Sequence, residues 1–345
     1  MAEIQQYKQK RIRQLQSVYT QSLKALNTVL SAQLNRARSM PPRARSSYVN
    51  QLMAAFQKNV ASLKAELQRQ VTLVQQTTFV SHVPASRTQK RALLVGLNYI
   101  GTSSELFGCI NDARSLEAYL LDHGFPAENI SVLTDLTEEK PSKSVLLQSF
   151  RTFLLSAQPE DLLFFAFSGH GSYVRDKEGE EFTGMDQVII PLDMDPIVDD
   201  ELKQMLVTCL KSGTTLVGLF DSCFSGTVLD LKYQFLDSLA SNQFRENEHA
   251  LETQGNVFMI SGCSDRQYSA DSVFNDRANG AMTWAFLESL NQRTNKPNNT
   301  NNTNKSLTWR QLVQQMRTLL KTNGYDQIPQ FSTGQMENID LPAFI

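Results

Sequence analysis

The chain has 345 residues, 41% of them apolar, and a formal net charge of −2, enough for one large domain with a sizeable core and an appendage. It contains no unbroken apolar run long enough for a helical membrane span, and its opening Met-Ala-Glu-Ile-Gln-Gln-Tyr-Lys-Gln-Lys lacks a signal-peptide core, so it reads as intracellular and cytoplasmic. The four cysteines, at 109, 209, 223 and 263, form no CxxC pair, which argues against a zinc site, a disulfide framework and a redox dithiol.

The charge is unevenly spread. Residues 1–80 carry twelve Lys/Arg against Glu3 and Glu66, whereas the remainder carries twenty-one basic and thirty-three acidic residues. Within the basic part, Tyr19, Leu23, Leu26, Leu30 and Leu34 recur at helical spacing. After Pro41-Pro42 the series Tyr48, Leu52, Phe56, Val60, Leu63, Leu67, Val71 and Val74 repeats the pattern. Because Pro41-Pro42 cannot continue a helix, residues 1–80 are expected to fold as a helical hairpin. Its stripes would pack on each other or on the main domain, and its Lys/Arg excess leaves contact with an anionic membrane or nucleic acid open. The polar, basic stretch 81–91 reads as a linker, and a second domain is expected over 92–345.

From there strands and helices alternate. Ala92–Leu97, Ile130–Thr134, Asp161–Ser168, Gln187–Pro191, Thr214–Phe220 and Val257–Gly262 read as strands. Asp112–Leu121, Ser142–Leu155 (opened by a Ser cap), Asp199–Leu210, Ala281–Leu290 and Leu307–Leu320 read as helices. Residues 231–255 read as a polar connection, and the Asn/Thr tract 296–304 has nothing to bury and reads as a disordered loop. The alternation predicts an α/β fold, a mostly parallel sheet with helices on both faces.

Two of the strands end in chemistry. One runs into Ser168-Gly169-His170-Gly171 and the other into Asp221-Ser222-Cys223 with Ser225-Gly226 behind it. Carboxyl ends of core strands are where open α/β sheets build sites. A thiol beside an imidazole, flanked by glycines that admit a substrate backbone, is what nucleophilic thiol chemistry requires. Taken singly, such a Cys also suits a small buried apolar role and such a His a structural one. Asp221 lies two residues before Cys223 and so shares its strand face, either as part of the site or as a strand-end cap. Asp112 admits the alternative of a helix N-cap.

The order and spacing of Ser168-Gly169-His170-Gly171 and Asp221-Ser222-Cys223, 53 positions apart from His to Cys, resemble the dyad of metacaspases in the caspase–hemoglobinase fold. Supporting motifs are Leu97-Asn98-Tyr99, Gly108–Ala113, Asp186 with Ile190–Asp193, Val198–Leu202 and Ile260–Asp265; the departure is Phe224, where the family commonly has His. The resemblance implies a type I-like arrangement: a large-subunit-like part near 92–230, a connection 231–255 and a small-subunit-like part 256–345. It implies a cysteine endopeptidase with Cys223 as nucleophile, His170 as proton carrier and the backbone N–H groups of Gly171 and Cys223 as oxyanion donors. Asp112 and Asp221, with Cys109 and Ser168, would form a pocket for Arg or Lys before the cut. Calcium is the implied cofactor, on Asp186, Asp199, Asp200 and Asp230, whereas the acidic stretch Asp176–Glu181 lacks EF-hand spacing. A protease of this specificity could cut itself after Lys232 or Arg245, or after Arg87, Lys90 or Arg91, with the hairpin as prodomain. The resemblance implies a monomer acting on protein or peptide substrates. The competing expectation is a vestigial protease scaffold that recruits partners through its basic helices.

Overall fold

A computed structural model describes scattered residues between 9 and 38 and the chain from 41 to 343, apart from 77–87, 176–184, 236–243, 263–270, 292–306 and some isolated positions including Phe224 and Ser225. Arg87, Phe224, Cys263, the acidic stretch Asp176–Glu181 and the Asn/Thr tract 296–304 thus lie outside the described residues. The chain divides into two compact units, Met1–Ala85 with Ile100–Ser103, and Ser86–Tyr99 with Ser104–Ile345.

In the first unit, helix α1 spans Pro42–Gln76. Pro42 opens the helix, where its missing N–H costs nothing. The Arg45 N–H donates to the Pro41 carbonyl (2.9 Å) and the Arg45 guanidinium to that of Arg38 (2.8 Å), which ties the turn to the end of the preceding helical residues. No described helix is long and apolar enough to cross a membrane.

The second unit is built on an eight-stranded sheet. In chain order its strands are β1 (Lys90–Gly96), β2 (Ile130–Thr134), β3 (Leu162–Ser168), β7 (Thr215–Asp221), β8 (Tyr233–Phe235), β9 (Phe244–Glu246), β10 (Asn256–Ser261) and β13 (Gln330–Thr333). A separate three-stranded sheet holds β4 (Gly171–Arg175), β5 (Met185–Ile189) and β6 (Ile197–Val198), and β11 (Asp271–Phe274) pairs with β12 (Arg277–Gly280). The large sheet runs β2-β1-β3-β7-β10-β13-β8-β9; pairing is parallel from β2 to β10 and antiparallel from there to β9.

The period-two alternation of the strands separates two cores. Leu94, Phe164, Ala166, Val217, Leu219 and Ile260 face α2 (Cys109–Asp122), α5 (Ala281–Asn291) and α6 (Trp309–Thr322). Leu93, Val95, Phe165, Phe167, Leu216 and Met259 face α3 (Lys143–Ser156) and α4 (Asp199–Cys209). Every residue of β3 is buried, and each large apolar side chain so enclosed contributes roughly 1.5–3 kcal/mol. Ser142 caps α3 by accepting the Val145 N–H (3.4 Å), as its position in the sequence predicts.

The structure corrects two boundaries. β1 begins at Lys90, so Lys90 and Arg91, expected in the linker, are strand residues paired with Leu162 and Leu163. They fit because their charged ends find local partners: Lys90 Nζ donates to the His123 carbonyl (2.9 Å) and lies 5.4 Å from the Phe125 ring centroid, and Arg91 pairs with the buried Asp161 (3.8 Å). Cleavage after either would have to break the β1–β3 pairing. The segment 231–255, expected as a polar connection, forms β8 and β9, which extend the large sheet beyond β13.

Candidate active site

The pairing of β3 with β7 sets the site. Ser168 stands opposite Asp221, so His170 and Cys223 each follow two residues beyond the same rung of the sheet. Gly169 N–H donates to the Asp221 carbonyl (3.3 Å), which carries the pairing past the strand ends. The backbone of Gly171 then lies so close to the Cys223 carbonyl that no Cβ fits between them. A thiol and an imidazole, both partly exposed, thus follow two paired strand ends whose backbones meet at one glycine.

The imidazole is held at several points. His170 Nε2 lies 2.7 Å from the Ser104 carbonyl. A carbonyl can only accept, so Nε2 carries a proton, and in the neutral ring Nδ1 carries the lone pair. The His170 N–H donates to Tyr99 Oη (2.9 Å), its carbonyl accepts from the Ile190 N–H (3.0 Å), and the Tyr99 ring lies against the imidazole with centroids 4.6 Å apart.

Behind the dyad sit two buried carboxylates. Asp112, in the first turn of α2, accepts from Ser168 Oγ–H (2.6 Å) and from the Gly280 N–H (2.9 Å). Asp221, at the end of β7, accepts from the Thr283 N–H (2.8 Å). Both converge on Gly280: a Cβ there would overlap Asp221 Oδ2 and come 2.7 Å from Asp112 Oδ2. Cys109 is buried at the start of α2, its carbonyl packed where a Cβ on Gly96 would be.

A second acidic cluster lies elsewhere. Asp186 on β5 and Asp199 and Asp200 at the start of α4 each offer a carboxylate oxygen within 4.8 Å of the others, and the first two are buried. Asp199 also accepts the Gln187 N–H (2.8 Å). Asp230, expected as a fourth member, is not in this cluster. Its carboxylate pairs with Lys203 and accepts from Asn247 Nδ2 (2.6 Å), so an ammonium one turn along α4 from Asp199 neutralises it instead.

With this geometry in view, the likeness to known proteins is decisive. The chain is 33% identical to Metacaspase-1 of Scheffersomyces stipitis over 73% of its own length and 72% of that protein, and 32% identical to Metacaspase-1 of Schizosaccharomyces pombe over 73% and 69%. The metacaspase, peptidase C14 domain profile matches residues 90–232. The chain belongs to the metacaspase family. As a metacaspase it is a cysteine-type endopeptidase of caspase-like fold, acting on protein or peptide substrates. A crystal structure of a protein from Geobacter sulfurreducens, at TM-score 0.54 and 23% identity over 74% of this chain and 98% of that one, shares the fold.

In this metacaspase the two candidate self-cleavage residues of the segment 231–255 are held by ordered contacts. The Lys232 ammonium pairs with Glu246 (3.4 Å) and its carbonyl accepts the Asn247 N–H (2.8 Å), while Arg245 pairs with Gln234 inside the β8–β9 hairpin. Three groups at the site carried no signal as site residues in the sequence. Tyr99 ends the Leu97-Asn98-Tyr99 motif, to which the sequence attaches no role; Ser104 acts through its backbone; Gly280 ends a strand that the sequence did not predict.

Proposed function

We propose that this metacaspase cleaves after Arg or Lys, with Cys223 as nucleophile and His170 as proton carrier, and that calcium switches it on. The convergence of Asp112 and Asp221 on Gly280, at the same strand ends as the dyad, carries the specificity. Two buried carboxylates side by side repel each other and favour a cationic side chain close to both. An acidic residue before the cut would meet repulsion instead.

The chemistry follows from the tautomer. With Nε2–H held by the Ser104 carbonyl, Nδ1 takes the Cys223 proton, and the thiolate forms a C–S bond to the scissile carbonyl carbon. The backbone N–H groups of Gly171 and Cys223, at the ends of the paired strands, stabilise the oxyanion. As the intermediate collapses, the C–N bond breaks and the imidazolium proton goes to the leaving amine. Water then hydrolyses the thioester, His170 taking its proton and returning one to the sulfur.

The calcium reading rests on the donor set. Asp186, Asp199 and Asp200 offer hard oxygens at close quarters in a largely buried place, which suits a divalent cation. A bound ion supplies charge neutralisation there. The chain's own residues carry the consequence: Asp199 holds the Gln187 N–H of β5, and the same segment ends in Ile190, whose N–H donates to the His170 carbonyl. Asp230 joins the ligand set only by leaving Lys203. We further propose that self-cleavage after Lys232 or Arg245 follows activation and that residues 1–80 act as a prodomain. The β8–β9 hairpin covers β13 with the chain's own strands, which supports a monomer.

Hydrolysis of matched fluorogenic peptides ending in Arg, Lys or Asp, with and without millimolar calcium and with Cys223→Ala as blank, tests the specificity, the nucleophile and the calcium dependence together. Calcium-dependent cleavage after Arg or Lys, absent from the blank, is expected; cleavage after Asp, or indifference to calcium, would overturn the corresponding part.

A further inference from the structure

We infer that Tyr99 is a positioning residue for His170, a role that rests on the proposed part of that histidine in peptide cleavage. Tyr99 is fully buried just beyond β1, and its hydroxyl does two jobs at once. Oη accepts the His170 N–H (2.9 Å) and donates its own proton to the Ile190 carbonyl (2.6 Å). Its ring lies against the imidazole, with centroids 4.6 Å apart and planes at 36°. One side chain therefore fixes the height of the His170 backbone, the end of the β5 segment and the face of the catalytic ring.

The hydroxyl is suited to that task. Burial pushes the phenol well above its ordinary pKa, so the proton it gives to Ile190 stays in place at every working pH. The backbone points the same way. Tyr99 has φ of +52°, a left-handed conformation that a bulky residue holds only where its surroundings impose it, and such outliers gather at functional sites.

The surroundings here are explicit. Leu97 N–H donates to the Ser168 carbonyl (2.9 Å), Asn98 N–H to Asp135 Oδ1 (2.7 Å), and Asn98 Oδ1 accepts the Ile110 N–H (3.0 Å). The Leu106 N–H donates to the Asn98 carbonyl (2.8 Å), closing the loop from which Ser104 reaches His170 Nε2. Tyr99 on the main-chain side and Ser104 on the ring side hold the imidazole from one loop anchored at Asn98.

The test is Tyr99→Phe, which keeps the ring and removes only the hydroxyl. With an Arg or Lys peptide, kcat should fall ten- to a hundredfold, as expected when two hydrogen bonds that align a proton carrier are lost, while KM stays within about twofold. In ¹⁵N-histidine-labelled protein the His170 Nε2–H resonance, assigned by its loss in His170→Ala, should shift or broaden. Wild-type kcat, a loss confined to KM, or an unmoved resonance would each overturn the role. If Tyr99→Phe shows no cooperative melt, 3-fluorotyrosine at position 99 decides instead: a changed kcat and resonance support the role, unchanged values overturn it. A wild-type chain that cut no peptide would sink the catalytic reading, leaving the resonance alone to judge Tyr99.

Discussion

Gly171 and Cys223 are in backbone contact across the ends of β4 and β7: the Cys223 carbonyl occupies the place a side chain on Gly171 would take. A methyl there has no flexible neighbour to displace, only the Cys223 main chain and the Cβ of Ser222. Gly171→Ala is expected to push the Cys223 turn away from His170 and to lower kcat/KM by about a hundredfold, the usual consequence of an ångström-scale misalignment of reacting groups. Iodoacetamide should still label Cys223, since the thiol itself remains. Peptide hydrolysis and labelling measured side by side would check this; full activity in the variant would show that the contact does not set the geometry.

Asp112 and Asp221 make separable contributions. Asp221→Asn removes a charge while leaving an amide oxygen able to accept the Thr283 N–H, and Asp112→Asn can still serve one of Ser168 and Gly280. Each is expected to weaken kcat/KM for Arg and Lys peptides ten- to a hundredfold, in line with roughly 1.5–3 kcal/mol for a hydrogen bond to a charged group. Cleavage of a Gln peptide should change far less. Equal losses on cationic and neutral peptides would show that the carboxylates shape the site rather than choose its substrate.

Gly280 offers a sterner version of the same test. Its Cβ would overlap Asp221 Oδ2, so Gly280→Ala should both lower the melting temperature and abolish cleavage after Arg and Lys. A variant with wild-type stability and activity would mean that the two carboxylates part readily, contrary to a rigid pocket.

What the sequence disclosed depended on how completely a segment is buried. β3 and β7 are enclosed on both faces, so they stand out as unbroken apolar runs, and with them the positions of His170 and Cys223 became readable. β4, β8 and β9 were not readable. They are short and carry polar residues such as Ser172, Gln234 and Arg245, and the pairing that joins the β8–β9 hairpin to the large sheet, with β13, spans about a hundred residues of chain. Lys90 and Arg91 were misassigned to a linker because their polarity hides the local groups, His123, Phe125 and Asp161, that let them start a strand. The acid pair around Gly280 was half legible: Asp112 and Asp221 carried a signal, but the glycine between them sits on a hairpin that only tertiary pairing defines. Asp230 looked like one more carboxylate until its ion pair with Lys203 came into view.

That ion pair has a measurable consequence for the proposed calcium site. Lys203 follows Asp199 by one helical turn, so its ammonium opposes a cation at Asp186, Asp199 and Asp200 while holding Asp230 apart. Lys203→Gln should therefore tighten calcium binding several-fold, and Asp199→Asn should weaken it at least tenfold. Titration calorimetry on the Cys223→Ala protein, where self-cleavage cannot intrude, would read both. An unchanged affinity in Asp199→Asn would remove the cluster from consideration as the calcium site.

Tyr233 anchors the hairpin that contains the proposed processing sites. At the start of β8 its hydroxyl donates to Glu252 Oε1 (2.6 Å), and that hydrogen bond, with burial adding to it, pushes the phenol up to about 12. The folded value lies above that of the unfolded chain, so the bond's contribution is fully present below about pH 10 and is lost as pH rises through about 12. Tyr233→Phe should lower stability at neutral pH and flatten its decline in that alkaline window, as denaturant titrations at stepped pH would show. Because Lys232 is the neighbouring residue, the loosened hairpin should also be cut faster after Lys232 once calcium is added, followed by intact mass. Slower cutting, or cutting at an unaltered rate with stability clearly reduced, would mean that hairpin opening does not limit self-processing.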